Sequence, residues 1–93
     1  MSTITKVESE FDDVYRITTD NGLILDIFEK TKPVVGQKIE YSLGQGQGTT
    51  MNGIVFAKTG NSVNASFGGF LASIPDITHS VGTTITIFYT LQN

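Results

Sequence analysis

The sequence contains no cysteine and no tryptophan, and its second half has very few charged residues. Without cysteine the chain cannot form a disulfide, a thiolate nucleophile or a cysteine-ligated zinc site, and this composition fits a reducing compartment. The longest apolar runs span four residues or fewer, whereas a membrane-spanning helix needs about 20, and the N-terminal residues lack the apolar core of a signal peptide. We therefore expect a cytoplasmic protein without membrane contact.

The scarcity of charge is confined to one part of the chain. Residues 1–40 carry eight of the nine acidic and five of the six basic residues, while residues 41–93 carry Lys58 and Asp76, besides His79. Soluble domains average about 25% charged residues, and the buried centres of protein interfaces are depleted in charge. Thr, Ser and Asn alone could keep this half soluble, but the distribution favours a permanent protein partner. The net charge of −3 argues against a free nucleic-acid binder.

Strand-forming residues dominate the 93 residues, which we interpret as a single domain, 1–93. The alternation of apolar and polar residues predicts eight strands, the first of them at a sheet edge: residues 3–10, 14–19, 23–28, 38–43, 52–59, 62–67, 70–74 and 83–91. Short strands with tight turns and no crossover helices predict an all-β fold, a small antiparallel eight-stranded barrel.

Two local patterns make this prediction specific. Asn21-Gly22 is a strong hairpin signal, because these residues accept the positive φ angles of a tight primed turn. The strand that follows places Leu23, Leu25 and Ile27 inside and Asp26 outside.

Gly68-Gly69 is the local feature that lowers the stability of the strands most, since glycine weakens a strand interior and the pair lies between Phe67 and Phe70. It predicts a bulge, a sharp bend or a close approach of another backbone. We interpret it as a bend that closes the barrel and helps to present an uncharged face.

Candidate catalytic groups are few. Gly44-Gln45-Gly46-Gln47-Gly48 could cradle phosphate, but that role requires a following helix, and the pattern predicts a flexible loop and then a strand. A single histidine excludes a multi-histidine metal site, and His79 near Asp76 is typical of a polar loop. We therefore expect no enzyme activity, no cofactor and no metal; a hydrolase would need an activity that His79→Ala abolishes.

Nucleic-acid binding is the main alternative function. Small barrels of the OB type stack bases on exposed aromatic rings beside basic grooves. Five rings could offer such platforms, although most of them are more simply core residues: Phe56, Phe67, Phe70, Phe88 and Tyr89. Lys58 is the one basic residue in this part of the sequence. Oligonucleotide binding that weakens steeply with salt would favour a stand-alone single-stranded nucleic-acid-binding module.

Five stretches of the chain carry a resemblance to a known family. They occur in this order: Phe11-Asp12-Asp13-Val14-Tyr15-Arg16, Leu25-Asp26-Ile27, Pro33-Val34-Val35-Gly36-Gln37-Lys38, Asn52-Gly53-Ile54-Val55-Phe56 and Asn64-Ala65-Ser66-Phe67-Gly68-Gly69-Phe70-Leu71. In order and spacing they resemble subunit 8 of the multisubunit RNA polymerases in its short, archaeal-type form. The match covers roughly residues 7–91, and the aromatic-Gly-Gly-apolar segment is its most specific part.

This resemblance implies an eight-stranded barrel of the OB type that serves as a non-catalytic structural subunit of a DNA-directed RNA polymerase. It implies docking on the largest subunit near the pore and funnel, indirect contact with other subunits, and weak or absent direct contact with nucleic acid. The family's pair of lysines at the end of the last strand is replaced here by Phe88-Tyr89-Thr90-Leu91. From the charge-poor half we predict these interface residues: Phe67, Gly68, Gly69, Phe70, Leu71, Phe88, Tyr89 and Leu91.

We predict that Gly69→Val lowers the free energy of unfolding by about 1–3 kcal/mol, because a β-branched side chain would be forced into a strained backbone position. Thermal or urea denaturation of the two proteins measures the difference. Unchanged stability would show that Gly69 has no special geometry.

Overall fold

A computed structural model describes residues 1–76 and 78–92 and contains eight β-strands. Their bounds are β1 Ser2–Phe11, β2 Val14–Thr19, β3 Ile24–Phe28, β4 Lys38–Leu43, β5 Thr49–Thr59, β6 Ser62–Phe67, β7 Phe70–Pro75 and β8 Thr84–Leu91. The predicted all-β fold of eight antiparallel strands is confirmed. The Gly-Gln loop is shorter than expected, because β5 already begins at Thr49.

The strands form one sheet in the order β1-β2-β3-β7-β6-β5-β8-β4, and β4 returns to pair with β1. This last contact joins Ser2 to Ile39 and Thr3 to Lys38. The expectation that β1 lies at an edge is therefore wrong for its first residues. Closure of the ring gives each strand a neighbour on both sides, which limits the unpaired backbone that an open sheet would expose.

The core lies inside the ring and follows the period-two pattern of the strands. Leu23, Leu25 and Ile27 are fully buried, as predicted. The other buried apolar side chains come from every remaining strand: Ile4, Ile17, Ile39, Val55, Val63, Ala65, Phe67, Ala72, Ile74, Ile85, Ile87 and Tyr89. Burial of this apolar surface is the main source of stability in a chain of this size.

The turn predicted at Asn21-Gly22 forms, but its type differs from the prediction. Residues 20–23 join β2 to β3, the amide of Thr19 donates to the carbonyl of Leu23 at 2.9 Å, and Gly22 has a φ of 95° while Asn21 keeps a negative φ. A primed two-residue turn needs positive φ at both central positions. Because the connection between β2 and β3 is longer than two residues, Asn21 does not need a positive φ angle.

The two-residue turn with positive φ at both positions is Gly68-Gly69, which joins Phe67 of β6 to Phe70 of β7. Its φ angles are 68° and 104°, and a Cβ atom added to either glycine would meet nothing within 4 Å. Of the three interpretations of this pair, the sharp bend is confirmed and the close backbone approach is wrong. The strain expected for Gly69→Val therefore comes from backbone conformation alone.

A close backbone approach occurs instead at Gly53 in β5. A Cβ atom there would lie 2.2 Å from the carbonyl oxygen of Ser66 and 2.7 Å from Cδ1 of Phe67. Real Cβ contacts are not this short, so any larger residue must push β5 away from β6. Gly53 thus allows β5 to cross β6 closely where β5 also pairs with Ile85 of β8.

We predict that Gly53→Ala lowers the free energy of unfolding by about 3 kcal/mol, as overpacking against a rigid backbone does. The control is Gly68→Ala, which should lower the free energy of unfolding by about 1 kcal/mol, because alanine is strained at the positive φ angle of this position. Urea denaturation measures both. Because the Ser66 carbonyl cannot give way, adding Phe67→Leu to Gly53→Ala should not restore stability, and restoration would contradict the backbone clash.

Candidate protein-docking surface

The charge-poor half of the sequence forms one continuous side of the closed sheet. β7, β6, β5 and β8 are consecutive neighbours in the ring, and together they carry one charged residue, Lys58. Because these strands lie next to each other, the scarcity of charge in the sequence becomes a scarcity of charge on one surface.

Two rows of paired residues cross the outer face of this side. One row joins Ile54 to Ser66 and Ser66 to Leu71, and the other joins Asn64 to Ser73 and Ser73 to Ile24. The first row has Ser66 between two large apolar residues, and the second row has Asn64 and Ser73 followed by Ile24. We name the resulting depression the serine groove, with floor residues Asn64, Ser66 and Ser73 and wall residues Ile24, Ile54, Phe56 and Leu71.

The walls of the serine groove are exposed apolar side chains. On β5, Ile54 and Phe56 are each 54% exposed; on the opposite wall Leu71 is 42% and Ile24 36% exposed. Single exposed apolar residues are ordinary on a protein surface, but grouped ones mark interaction sites. Four such residues around one depression therefore identify it as the candidate site.

A β-bulge sets the position of Phe56. Val55 pairs with Ala65 and Ala57 pairs with Asn64, so Phe56 is an extra residue between two regular pairs. Bulges redirect side chains and are frequent beside functional sites. Here Phe56 lines a cavity of about 360 Å³ together with Asn64, Leu71 and Ile24.

The opposite wall depends on the carboxylate of Asp26. The pairing of β3 with β7 comprises Ile24 with Ser73 and Leu25 with Ala72. At the next position Asp26 Oδ2 accepts the backbone N–H of Leu71 at 2.9 Å. The side chain thus replaces the backbone carbonyl that a paired strand would offer, and it fixes Leu71 at the groove edge.

Asp26 is 5% exposed, although its side chain lies on the outer face, because Arg16 on β2 covers it. Arg16 donates from Nε to Oδ1 at 2.7 Å and from Nη2 to Oδ2 at 3.1 Å. This hydrogen bonding raises the pKa of Arg16 above its ordinary value. Both carboxylate oxygens therefore accept hydrogen bonds, two from a bidentate guanidinium contact and one from a backbone amide.

The end of the groove at β1 and β2 is acidic on balance. Lys6 lies 3.5 Å from a carboxylate oxygen of Glu8, and Arg16 lies 3.2 Å from one of Glu10. With Asp26, three carboxylates oppose two cations in this region. A phosphate backbone would meet no net positive charge there, which disfavours nucleic-acid binding.

The predicted interface residues separate into three groups. Phe67 and Tyr89 belong to the core, at 8% and 2% exposure, while Phe70 and Leu91 are half-buried and pack against it. Gly68, Gly69 and Leu71 lie together at the surface, beside the groove. Phe88 is half-buried on β8, which is three strands away from β7 in the ring, so it does not join this group.

The sequence analysis did not assign Ile24, Ile54 or Phe56 to a protein interface and considered Phe56 only as a base-stacking ring, although a signal was present for Ile54 and Phe56. Ile54-Val55-Phe56-Ala57 is apolar at four consecutive positions, so β5 carries apolar residues on both faces. A strand of this kind is covered on both sides in most proteins. Here the core covers Val55, and the outer face remains uncovered in the isolated chain.

Tyr89 was predicted at the interface, but its hydroxyl has a partner inside the chain. The hydroxyl donates to Glu29 Oε2 at 2.8 Å. Burial raises the pKa of the Tyr89 phenol, and the hydrogen bond to Glu29 adds to this effect. The residue therefore anchors the connection after β3 to the last strand.

Asp76 and His79 form a close pair, with 2.5 Å between His79 Nδ1 and Asp76 Oδ2. Asp76 also accepts the backbone N–H of Thr78 at 3.0 Å and its hydroxyl at 2.7 Å. Burial acts to raise the pKa of Asp76, but the hydrogen bonds from Thr78 and His79 lower it to about 2. These contacts give the carboxylate a turn-stabilising role. Across residues 1–76 and 78–92, no group of three side chains could hold a metal ion.

Comparison with known proteins gives no relative: no protein-family model matches the chain, and no curated protein matches it significantly. Within the described residues, no helix is long and apolar enough to cross a membrane. The functional argument therefore rests on the serine groove and on the motifs of the sequence.

We predict that Asp26→Ala lowers the free energy of unfolding by about 2–3 kcal/mol. The substitution removes the charge-assisted hydrogen bonds to Arg16 and leaves the Leu71 amide without its acceptor. Asp26→Asn keeps an acceptor for that amide and should cost about half as much. Urea denaturation gives the stabilities, and hydrogen exchange of the Leu71 amide should accelerate in Asp26→Ala but not in Asp26→Asn.

The matched control is Glu40→Ala, which removes an exposed carboxylate on β4 and should change stability by less than about 0.5 kcal/mol. Equal exchange rates at Leu71 in Asp26→Ala and the unaltered protein would show that the carboxylate does not hold this strand.

Proposed function

We propose that this chain is a non-catalytic structural subunit of a DNA-directed RNA polymerase, built as a barrel of the OB type, which docks through the serine groove on the largest subunit. It acts in the cytoplasm as a rigid body and performs no chemistry of its own. Association would stabilise both partners, since a partner that binds only the folded form raises its apparent stability.

One observation carries this proposal: four of the five stretches that resemble polymerase subunit 8 converge on the serine groove. Phe11–Arg16 supplies Arg16, Leu25–Ile27 supplies Asp26, and these residues hold Leu71 in place. Asn52–Phe56 forms the wall on β5, and Asn64–Leu71 forms the floor on β6 and the wall on β7. Motifs far apart in sequence thus build one surface.

The surface has the composition of a protein interface. Its walls are apolar, its floor is polar but uncharged, and charged residues lie at one end. Interface centres are depleted in charge and surrounded by a polar rim. This arrangement favours a protein partner over a small-molecule substrate.

The order of the strands supports the proposed OB type. β1, β2 and β3 form a meander, after which the ring continues with β7 and the hairpin of β6 and β7. Barrels of the OB type have Greek-key connectivity, in which a connection skips along the sheet.

We predict that Leu71→Asp abolishes recovery of the largest polymerase subunit by a tagged copy of the chain, because it places a charge on the groove wall. Val35→Asp is the matched control: Val35 is also exposed and apolar but lies in the connection before β4. We expect the unaltered chain and Val35→Asp to recover the polymerase equally and Leu71→Asp at least tenfold less.

Thermal denaturation of all three proteins establishes that they are folded at the assay temperature. If the unaltered chain recovers no large polymerase subunit from its source, the proposed function is wrong. If Leu71→Asp recovers as much polymerase as Val35→Asp, docking uses another surface.

A stand-alone single-stranded nucleic-acid module remains the second candidate, favoured by the exposed Phe56 ring in a cavity that Lys6 and Arg16 also line. Aromatic rings beside cations are the usual elements of such sites. The carboxylates of Glu8 and Glu10 oppose it. Oligonucleotide binding at micromolar or lower concentration, weakening steeply with salt, would decide for this candidate.

A further inference from the structure

We propose that the serine groove binds a single extended segment of its partner, which inserts an apolar side chain between Phe56 and Leu71 and directs a basic side chain toward Glu8 and Glu10. This inference rests on the proposed function and specifies the chemistry of the partner segment.

The width of the groove selects an extended chain. The walls at Phe56 and Leu71 stand on β5 and on β7, with β6 between them, and the cavity continues over Ile24 on β3 and Arg16 on β2 to Glu8 on β1. Two strand spacings separate the wall backbones by about 10 Å, and the wall side chains reduce this distance. A helix with its side chains is about 10–12 Å wide, so it would rest on top of the walls, whereas an extended segment can place one side chain between them and continue across β7 and β3 toward β1.

The floor suits the backbone of such a segment. Ser66 and Ser73 present hydroxyl groups, and Asn64 presents an amide, which together offer both donors and acceptors. An extended chain has N–H and C=O groups that need partners when they are buried. The floor can satisfy them without requiring a particular side chain, so specificity must come from the walls and from the acidic end.

Phe56 and Leu71 form the apolar part of the recognition site. Both line the cavity of about 360 Å³, which also contains Ala72 and Ile24. This volume accommodates one large side chain rather than a folded element. An aliphatic or aromatic residue of the partner would cover the exposed parts of Phe56 and Leu71 at once.

The charge at the end of the groove selects a basic residue. Glu8 and Glu10 are both exposed on β1, and Asp12 and Asp13 follow in the turn to β2. Lys6 and Arg16 each contact one of these glutamates, and Lys30 contacts Asp13. With Asp12 and the buried Asp26, five carboxylates therefore lie near three cations, which leaves the region with an excess of negative charge. A Lys or Arg from the partner would balance this excess and fix the direction of the segment.

The same charges argue against a second copy of this chain as the occupant. A copy bound through the same surface would bring its own Glu8 and Glu10 to the interface, and the chain has a net charge of −3. Like charges across an interface are unfavourable. The groove is therefore suited to a different protein with the opposite charge.

The experiment places the photo-crosslinking amino acid p-benzoylphenylalanine at position 56, in the complex of the full chain with the largest polymerase subunit. Irradiation and mass spectrometry identify the crosslinked peptide. We expect one short segment of the large subunit, with an apolar residue at the crosslink and a Lys or Arg within about four residues. The same amino acid at position 35 is the control and should give no crosslink to that segment.

Charge reversal provides a second readout. The double variant Glu8→Lys/Glu10→Lys should bind the large subunit about tenfold more weakly, while Glu40→Lys on β4, the strand opposite β7 in the ring, should bind normally. Replacing the basic residue of the crosslinked segment by Glu should restore the affinity of the double variant.

The possible results separate the two proposals. Failure of the unaltered chain to bind the large subunit overturns the proposed function together with this inference. A stable complex without crosslinks from position 56, with crosslinks to a helix or to a second copy of the chain, or with full affinity in the double variant overturns this inference and leaves the proposed function standing.

Discussion

The contact between Asp26 and the backbone of Leu71 is the constraint on which this surface depends. The ring must pass from β3 to β7, which are distant in the chain, and backbone pairing joins them at two positions. Asp26 and Leu71 themselves are 45 residues apart. Asp26 extends this junction by one more hydrogen bond and is itself held by Arg16. Since burying a carboxylate is costly without partners, the contact persists because every oxygen is engaged. It holds Leu71 at the edge of the cavity that Phe56 also lines.

Much of the fold could be predicted because the strands follow a period of two. The alternation of Leu23, Leu25 and Ile27 identified the inner face of β3 correctly. The same reasoning applied to β6 and β8 would have placed Phe67 in phase with Val63 and Ala65, and Tyr89 in phase with Ile85 and Ile87, which all lie in the core. The juxtaposition of β3 with β7 could not be predicted, because no local pattern encodes the pairing of distant strands. Nor could the bulge at Phe56, which changes the register without a glycine or proline at that position.

The distribution of charge and the family resemblance are independent features that lead to the same surface. Charge is depleted over β5 to β8, whereas the motifs that resemble polymerase subunit 8 also include Arg16 and Asp26 from the charged half. The groove lies where the two halves meet, with apolar walls toward one side and the charged residues Lys6, Glu8 and Arg16 toward the other. Any molecule bound in the groove would therefore contact both halves at once.

The position of β8 has a consequence for how the protein is made. β8 is the last strand of the chain, yet it lies between β4 and β5 and pairs with both along most of their length. During synthesis, the edges of β4 and β5 therefore stay unpaired until Leu91 has left the ribosomal exit tunnel. Unpaired strand edges promote aggregation of nascent chains. The ring can close only after β8 has been synthesised, so the nascent chain exposes these edges until then.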